Sequence, residues 1–151
     1  MTLEWQIIKP ERIEALSSGY LSHGYRQDET ILSCLRYHPS LCESQFDIIS
    51  AYRPTDGKFH LSMLTASTCI SQTGIIYAGL LNELDEKAGE VYVIDFMMKF
   101  QNPVNEKSFV IDARMTELKK SRKGIIYRMQ GNVQTNAFHY DVTFLFPTHG
   151  N

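Results

Sequence analysis

Charge of one sign is what this chain most conspicuously lacks. Lys and Arg number 15 against 17 Asp and Glu, a formal net charge of -2. Such a balance gives no general attraction to polyphosphate, so nucleic acid is not expected as the main partner. Cysteine is also scarce. Cys34, Cys42 and Cys69 are an odd number without a CxxC spacing, which indicates neither a disulfide framework nor a zinc site. Cys69, inside an apolar stretch, reads as a small core residue. No metal or cofactor is implied. The opening residues MTLEWQIIKPERIE carry acids and polar groups where a secretory leader needs a basic start and an apolar run, so a cytoplasmic protein is expected. One further absence matters for chemistry: no carboxylate occurs between Asp56 and Glu83.

What is present is organised around His60 to Leu84, HLSMLTASTCISQTGIIYAGLLNEL. The stretch is long enough for several helical turns and has no charge before Glu83. A helix apolar or small nearly all round is usually buried, and Ala66, Ser67, Gly74, Ala78 and Gly79 would let neighbouring backbone approach from several sides. A membrane span is not expected, because the helix carries polar groups and is followed by amphipathic strands.

The remainder orders itself about that helix. Pro10 opens a short helix, which Ser17, Ser18 and Gly19 weaken. Thr30 to Tyr37 and Phe46 to Tyr52 have strand character, the first ended by Pro39. The segment RPTDGK, residues 53–58, is turn chemistry. Beyond the helix, Tyr92, Ile94, Phe96, Met98 and Phe100 alternate, and so do Phe109 to Met115, Ile125 to Met129 and Phe138 to Phe146, which predicts four strands with one buried face each. ELKKSRKG between the second and third of these reads as a charged hairpin tip. The 151 residues are expected to form one α+β domain, in which segment 1–29 is a cap and 30–147 a core. One antiparallel sheet curled around one helix satisfies the order, which is the hotdog fold.

Several motifs resemble that superfamily. Lys99 to Val104, KFQNPV, is similar to its strand-end motif, and GNVQTNAFHYDVTFLF is similar to its closing strands. Within it the chain resembles the FcoT-like fatty-acyl-CoA thioesterase family. The matching series is Ser50-Ala51-Tyr52, Gly57, Phe59, Cys69, Gln72, Phe100, Pro103, Asn105 and Phe109. The resemblance implies hydrolysis of an acyl thioester carried by coenzyme A or an acyl carrier protein, in a homodimer at least. It places Tyr52 in the acyl-thioester pocket, His60 and Ser71 where the family has functional asparagines, and Tyr25 (or Tyr20) where it has a second tyrosine. Phe59, Gln72 and Asn102 fall among the residues expected to line the substrate.

The chemistry follows from the helix start. Its first N–H groups have no helical partners and lie at the positive end of the helix dipole. A carbonyl oxygen held there gains bonds that strengthen as it becomes an oxyanion. His60 would stand beside it, and an imidazole suits removal of a proton from water. The alternative for His60 is a solvent-facing or capping loop residue, and for Ser71 and Gln72 buried polar groups bonded to backbone. A serine nucleophile lacks a His–carboxylate pair. Dehydration of a 3-hydroxyacyl thioester is the competing reaction. Hotdog dehydratases, which the chain also resembles at the strand motif, use a histidine where Gly57-Lys58-Phe59-His60 has Lys58 and an acid on the central helix, where this chain has none; His60 with Asp56 would be a rearranged pair. A non-catalytic acyl-binding protein is the third reading. Among Lys119, Lys120, Arg122 and Lys123, Lys120 and Lys123 are candidates to receive the phosphates of coenzyme A or an acidic carrier; otherwise the patch is a solvated tip.

Overall fold

The computed structural model describes residues 6–16, 28–51 and 56–148. Its elements are α1 (Pro10–Leu16), β1 (Glu29–His38), β2 (Leu41–Ser50), α2 (Met63–Leu81), β3 (Tyr92–Phe100), β4 (Ser108–Ser121), β5 (Gly124–Val133) and β6 (Phe138–Phe146). The six strands form a single sheet in the order β1-β2-β4-β5-β6-β3, every neighbouring pair antiparallel. One long helix lies against it. This is the hotdog arrangement, and the order of elements is the one the alternation predicts. α1 has no buried residue.

The inner face is built by period-two alternation. Cys42, Phe46 and Ile48 of β2, Phe109 and Ile111 of β4, Tyr127 and Met129 of β5, and Phe138 to Phe146 of β6 turn their alternate side chains inward. The Phe46 and Phe109 rings stack at 6.1 Å where the two residues pair in register. Burial of such side chains contributes about 1.5–3 kcal/mol each before entropy is counted.

α2 meets this face through Thr65, Ala66, Cys69, Ile70, Thr73, Gly74, Tyr77 and Ala78. Small residues allow the approach. A Cβ on Gly74 would lie 3.0 Å from Met129 Cε and 3.5 Å from Phe144. The polar groups that the contact buries satisfy each other: the Ser44 and Thr73 hydroxyls are 2.7 Å apart, and Thr73 Oγ1 also donates to Cys69 O at 2.9 Å. Tyr77 is fully buried and its hydroxyl donates to His38 O and Pro39 O, both at 3.1 Å, which ties the helix to the β1–β2 turn. By length and hydropathy Met63–Leu81 passes as a membrane span, but its packed face is that of a core helix.

Four expectations are corrected. The helix is not wrapped on several sides: Leu64, Thr68 and Gln72 are exposed and Ile75, Ile76 and Leu80 only half-buried, because the sheet curls over one face alone. In β3, Tyr92, Ile94 and Phe100 are 64%, 58% and 50% exposed rather than buried. β3 is an edge strand, bonded among the described residues to β6 alone, and the register shift between Val93 and Asp95 breaks its alternation, so that of the expected face Phe96 and Met98 pack against the core while Tyr92 and Ile94 do not. The charged tip is shorter than expected, since β4 and β5 run through most of ELKKSRKG and leave Arg122 and Lys123 as the turn. β2 also begins earlier, at Leu41.

One close approach fixes the sheet locally. Tyr140 is buried and its hydroxyl donates to Asp112 O at 2.7 Å, across Gly131. A Cβ at Gly131 would fall 1.9 Å from Asp112 O and 2.7 Å from the Tyr140 hydroxyl. Backbone cannot yield as a flexible side chain does, so Gly131→Ala is expected to cost about 3 kcal/mol in urea unfolding. Gly79→Ala, where no atom lies within 4 Å of the new Cβ, is the contrast: it should be neutral or gain up to about 1 kcal/mol.

Candidate functional site

The start of α2 is a small hydrogen-bonded assembly. Ser62 is the N-cap, in extended conformation, and its Oγ accepts from Thr65 N at 3.0 Å. Ser62 Oγ also lies 3.1 Å from Thr65 Oγ1, which donates to Asp28 Oδ2 at 2.8 Å. Asp28 therefore comes from the segment just before β1 to sit beside a helix N-terminus, where a carboxylate is electrostatically favoured. Of the first three helical amides, Thr65's is taken by the cap. Those of Met63 and Leu64 have no carbonyl within the helix to bond.

The loop leading into the helix is held by the motif residues. Leu61 N donates to Val104 O at 2.8 Å, and Asn105 Nδ2 donates to Phe59 O at 3.0 Å. Phe59 packs against the core and Leu61 is buried within it. His60 lies between these two anchored residues and is exposed. The reason KFQNPVN carries a recognisable pattern is thus physical: its last residues clamp the chain on both sides of His60. Asn102 is exposed, and its backbone N–H, like that of Gln101, donates to Ala137 O.

The expected site residues do not all converge. Ser71 is half-buried and lies nine residues beyond the cap, roughly 13 Å along the helix, where it lines a cavity of about 100 Å³ with Gly74, Val93, Met129 and Phe144. Gln72 faces a separate groove of about 410 Å³ with Ile76, Gly79, Leu80 and Phe146. Lys120 and Lys123 stand near the β4–β5 turn. β4 starts three residues after Asn105 and runs for 14 residues, so they are roughly 40 Å of strand from the helix start. Tyr25, Tyr20 and Tyr52 lie outside the described residues. Asp56 accepts from Lys58 N at 3.0 Å in a local turn, and no bond joins it to His60 among the described residues.

Asp28 is the residue that sequence reasoning missed. Its partner is 37 positions away, and no local pattern marks such a contact. Ser62 three residues before Thr65 is the N-cap spacing that could have marked the helix start, and it was not read. Among the described residues, no group of three His, Cys, Asp or Glu side chains is placed to hold a metal ion.

Cys69 borders the same assembly, near Thr68, Thr30 and Asp28. Burial, with a smaller contribution from the Asp28 charge, pushes its thiol up to about 11, and burial does the same to Cys42, aided by Glu43. Neither is a thiolate at neutral pH, so neither is a ready nucleophile. In a thiol titration of the native protein at pH 8, exposed Cys34 should react promptly, and Cys42 and Cys69 only on unfolding. The cap gives a second test: Ser62→Ala should lower stability by about 1 kcal/mol and Ser62→Gly by a few tenths, read from urea midpoints.

No protein-family model and no curated protein sequence matches the chain. Solved structures do. A thioesterase from Haemophilus influenzae superposes with a TM-score of 0.56 at 14% identity, over 93% of this chain and 91% of that one. A hypothetical thioesterase protein with coenzyme A from Streptococcus pneumoniae gives 0.51 at 8% identity, over 82% and 89%. A Streptococcus mutans protein bound to acetyl CoA gives 0.50 at 8% identity, over 84% and 94%. At these identities the likeness is one of architecture, and the chain has the α+β hotdog fold that its sequence motifs resemble.

Proposed function

We propose that this protein hydrolyses acyl-coenzyme A thioesters at the N-terminus of α2, as a homodimer, in the manner of the FcoT-like thioesterases that its motifs resemble. The observation that carries the reading is the start of α2, where the Met63 and Leu64 amides have no carbonyl partner within the helix, beside exposed His60 on a loop clamped by Val104 and Asn105. Solved proteins of the same fold that hold coenzyme A or acetyl CoA support the choice of carrier.

In this reaction water adds to the thioester carbonyl carbon as the His60 imidazole accepts its proton. The oxygen becomes an oxyanion facing the Met63 and Leu64 amides, an interaction commonly worth about 3 kcal/mol for one such donor. Collapse breaks the C–S bond, and the imidazolium returns its proton to the departing thiolate. The products are a carboxylic acid and the free thiol. The acyl chain would run along α2 towards the cavity beside Ser71, whose lining is apolar apart from that hydroxyl.

The dimer reading rests on β3. An edge strand with Tyr92, Val93, Ile94, Met97 and Phe100 exposed is a template for pairing. A second copy related by a twofold axis meets it antiparallel; with the axis at Phe96, the middle of the strand, Tyr92 of one protomer lies beside the partner's Phe100 and the two sheets become continuous.

The test is to incubate the protein with saturated acyl-CoAs, 3-hydroxyacyl-CoAs and 2-enoyl-CoAs while following free thiol and enoyl absorbance together. Thiol release is expected. Hydroxyacyl–enoyl interconversion without thiol release would show a dehydratase instead, and saturable binding without any turnover a non-catalytic acyl-binding protein. His60→Ala should lower kcat about 100-fold, and an unchanged rate would remove it as the base.

A further inference from the structure

A second cleft, of about 430 Å³, lies at the other end of the sheet, lined by Tyr92, Arg122, Lys123, Glu90, Leu145 and Pro147. Its volume is in the range of small-ligand sites. The turn that carries its two cations is held in place. Ser121 Oγ donates to Gly124 O at 3.3 Å and accepts from Lys123 N at 3.2 Å. Gly124 has φ +139°, and a Cβ there would fall 2.2 Å from Phe146 O, so the turn is seated directly on the end of β6. The acid in the cleft is partly matched, since Glu90 Oε1 is 3.5 Å from Lys87 Nζ. Arg122 and Lys123 form no ion pair among the described residues, whereas Lys120 pairs with Glu117 at 3.7 Å. Tyr92, largely exposed, lines the cleft with them, beside its β6 partner Leu145.

We infer that this cleft binds the phosphorylated adenosine end of coenzyme A, Tyr92 stacking on the adenine and Arg122 and Lys123 taking the phosphates. Aromatic faces hold bases by stacking, and a guanidinium matches a phosphate by bidentate bonds where an ammonium acts as a point charge. The assignment rests on the thioesterase reading and refines it, because the cleft is too far from the helix start of its own protomer and serves the partner's. With β3 strands paired, Tyr92 adjoins the partner's Phe100, from which four residues, at most roughly 15 Å of chain, lead to the partner's Val104 at the helix start. The pantetheine arm would cross the sheet junction along that path.

Calorimetric titration with adenosine 3′,5′-bisphosphate tests the cleft without chemistry. Saturable binding is expected, weakened at least tenfold in the Arg122→Ala/Lys123→Ala double variant and severalfold in Tyr92→Leu, which keeps an apolar edge. In hydrolysis assays the double variant should raise KM for an acyl-CoA at least five times more than KM for the corresponding acyl-pantetheine. No binding by the wild-type protein, or equal binding by the double variant, overturns the inference. Equal affinity for adenosine 5′-diphosphate points to a free nucleotide as occupant and overturns the coenzyme assignment. Binding with the expected losses but no thioester hydrolysis sinks the thioesterase reading and leaves the cleft standing; hydrolysis with the same KM for acyl-CoA and acyl-pantetheine does the reverse.

Discussion

Everything in this molecule depends on how closely α2 approaches the sheet. Ala66, Gly74 and Ala78 are buried against the sheet, Gly74 close to Met129 of β5 and Phe144 of β6, and the Ser44–Thr73 hydroxyl pair removes the polar penalty that the contact would otherwise carry. A larger residue at Gly74 would meet the flexible end of Met129 and the Phe144 ring, which would have to give way before the helix could stay seated.

Much of the fold was legible because the sheet is amphipathic in a simple way. β6 alternates without a break from Phe138 to Phe146, and β4 and β5 do nearly the same; a period of two with turn residues between leaves few readings. The helix was equally visible, although the stretch from His60 to Leu84 overran the observed Met63–Leu81 by three residues at each end. Burial was less so. A low-moment apolar helix cannot say from composition whether it is enclosed on every side or only one, and β3 carries the same pattern as the inner strands although it sits at the rim. Strand order is set by non-local pairing, β2 with β4 and β3 with β6, and that is not written in any single segment.

The candidate site was legible in part. His60 and the KFQNPVN segment were singled out separately, and they prove to be neighbours joined by Leu61 N–Val104 O and Asn105 Nδ2–Phe59 O. Ser71 was expected in the same place, yet helical rise alone separates it from the cap. Asp28 was invisible, because the chain folds back from before β1 to bring a carboxylate to Thr65. A sequence motif marks residues that share a task, but distance along a helix or strand decides which of them touch.

The sheet order has a consequence for how the chain is made. β3 is synthesised well before β6, its only sheet neighbour here, and the wait is about 40 residues, a few seconds at ~5–20 residues per second on the ribosome. Throughout that interval Val93, Phe96 and Met97 hang from an unpaired strand, while β4 and β5 already have each other. The nascent chain is therefore most exposed to chaperones, and to aggregation, just before its final strand emerges.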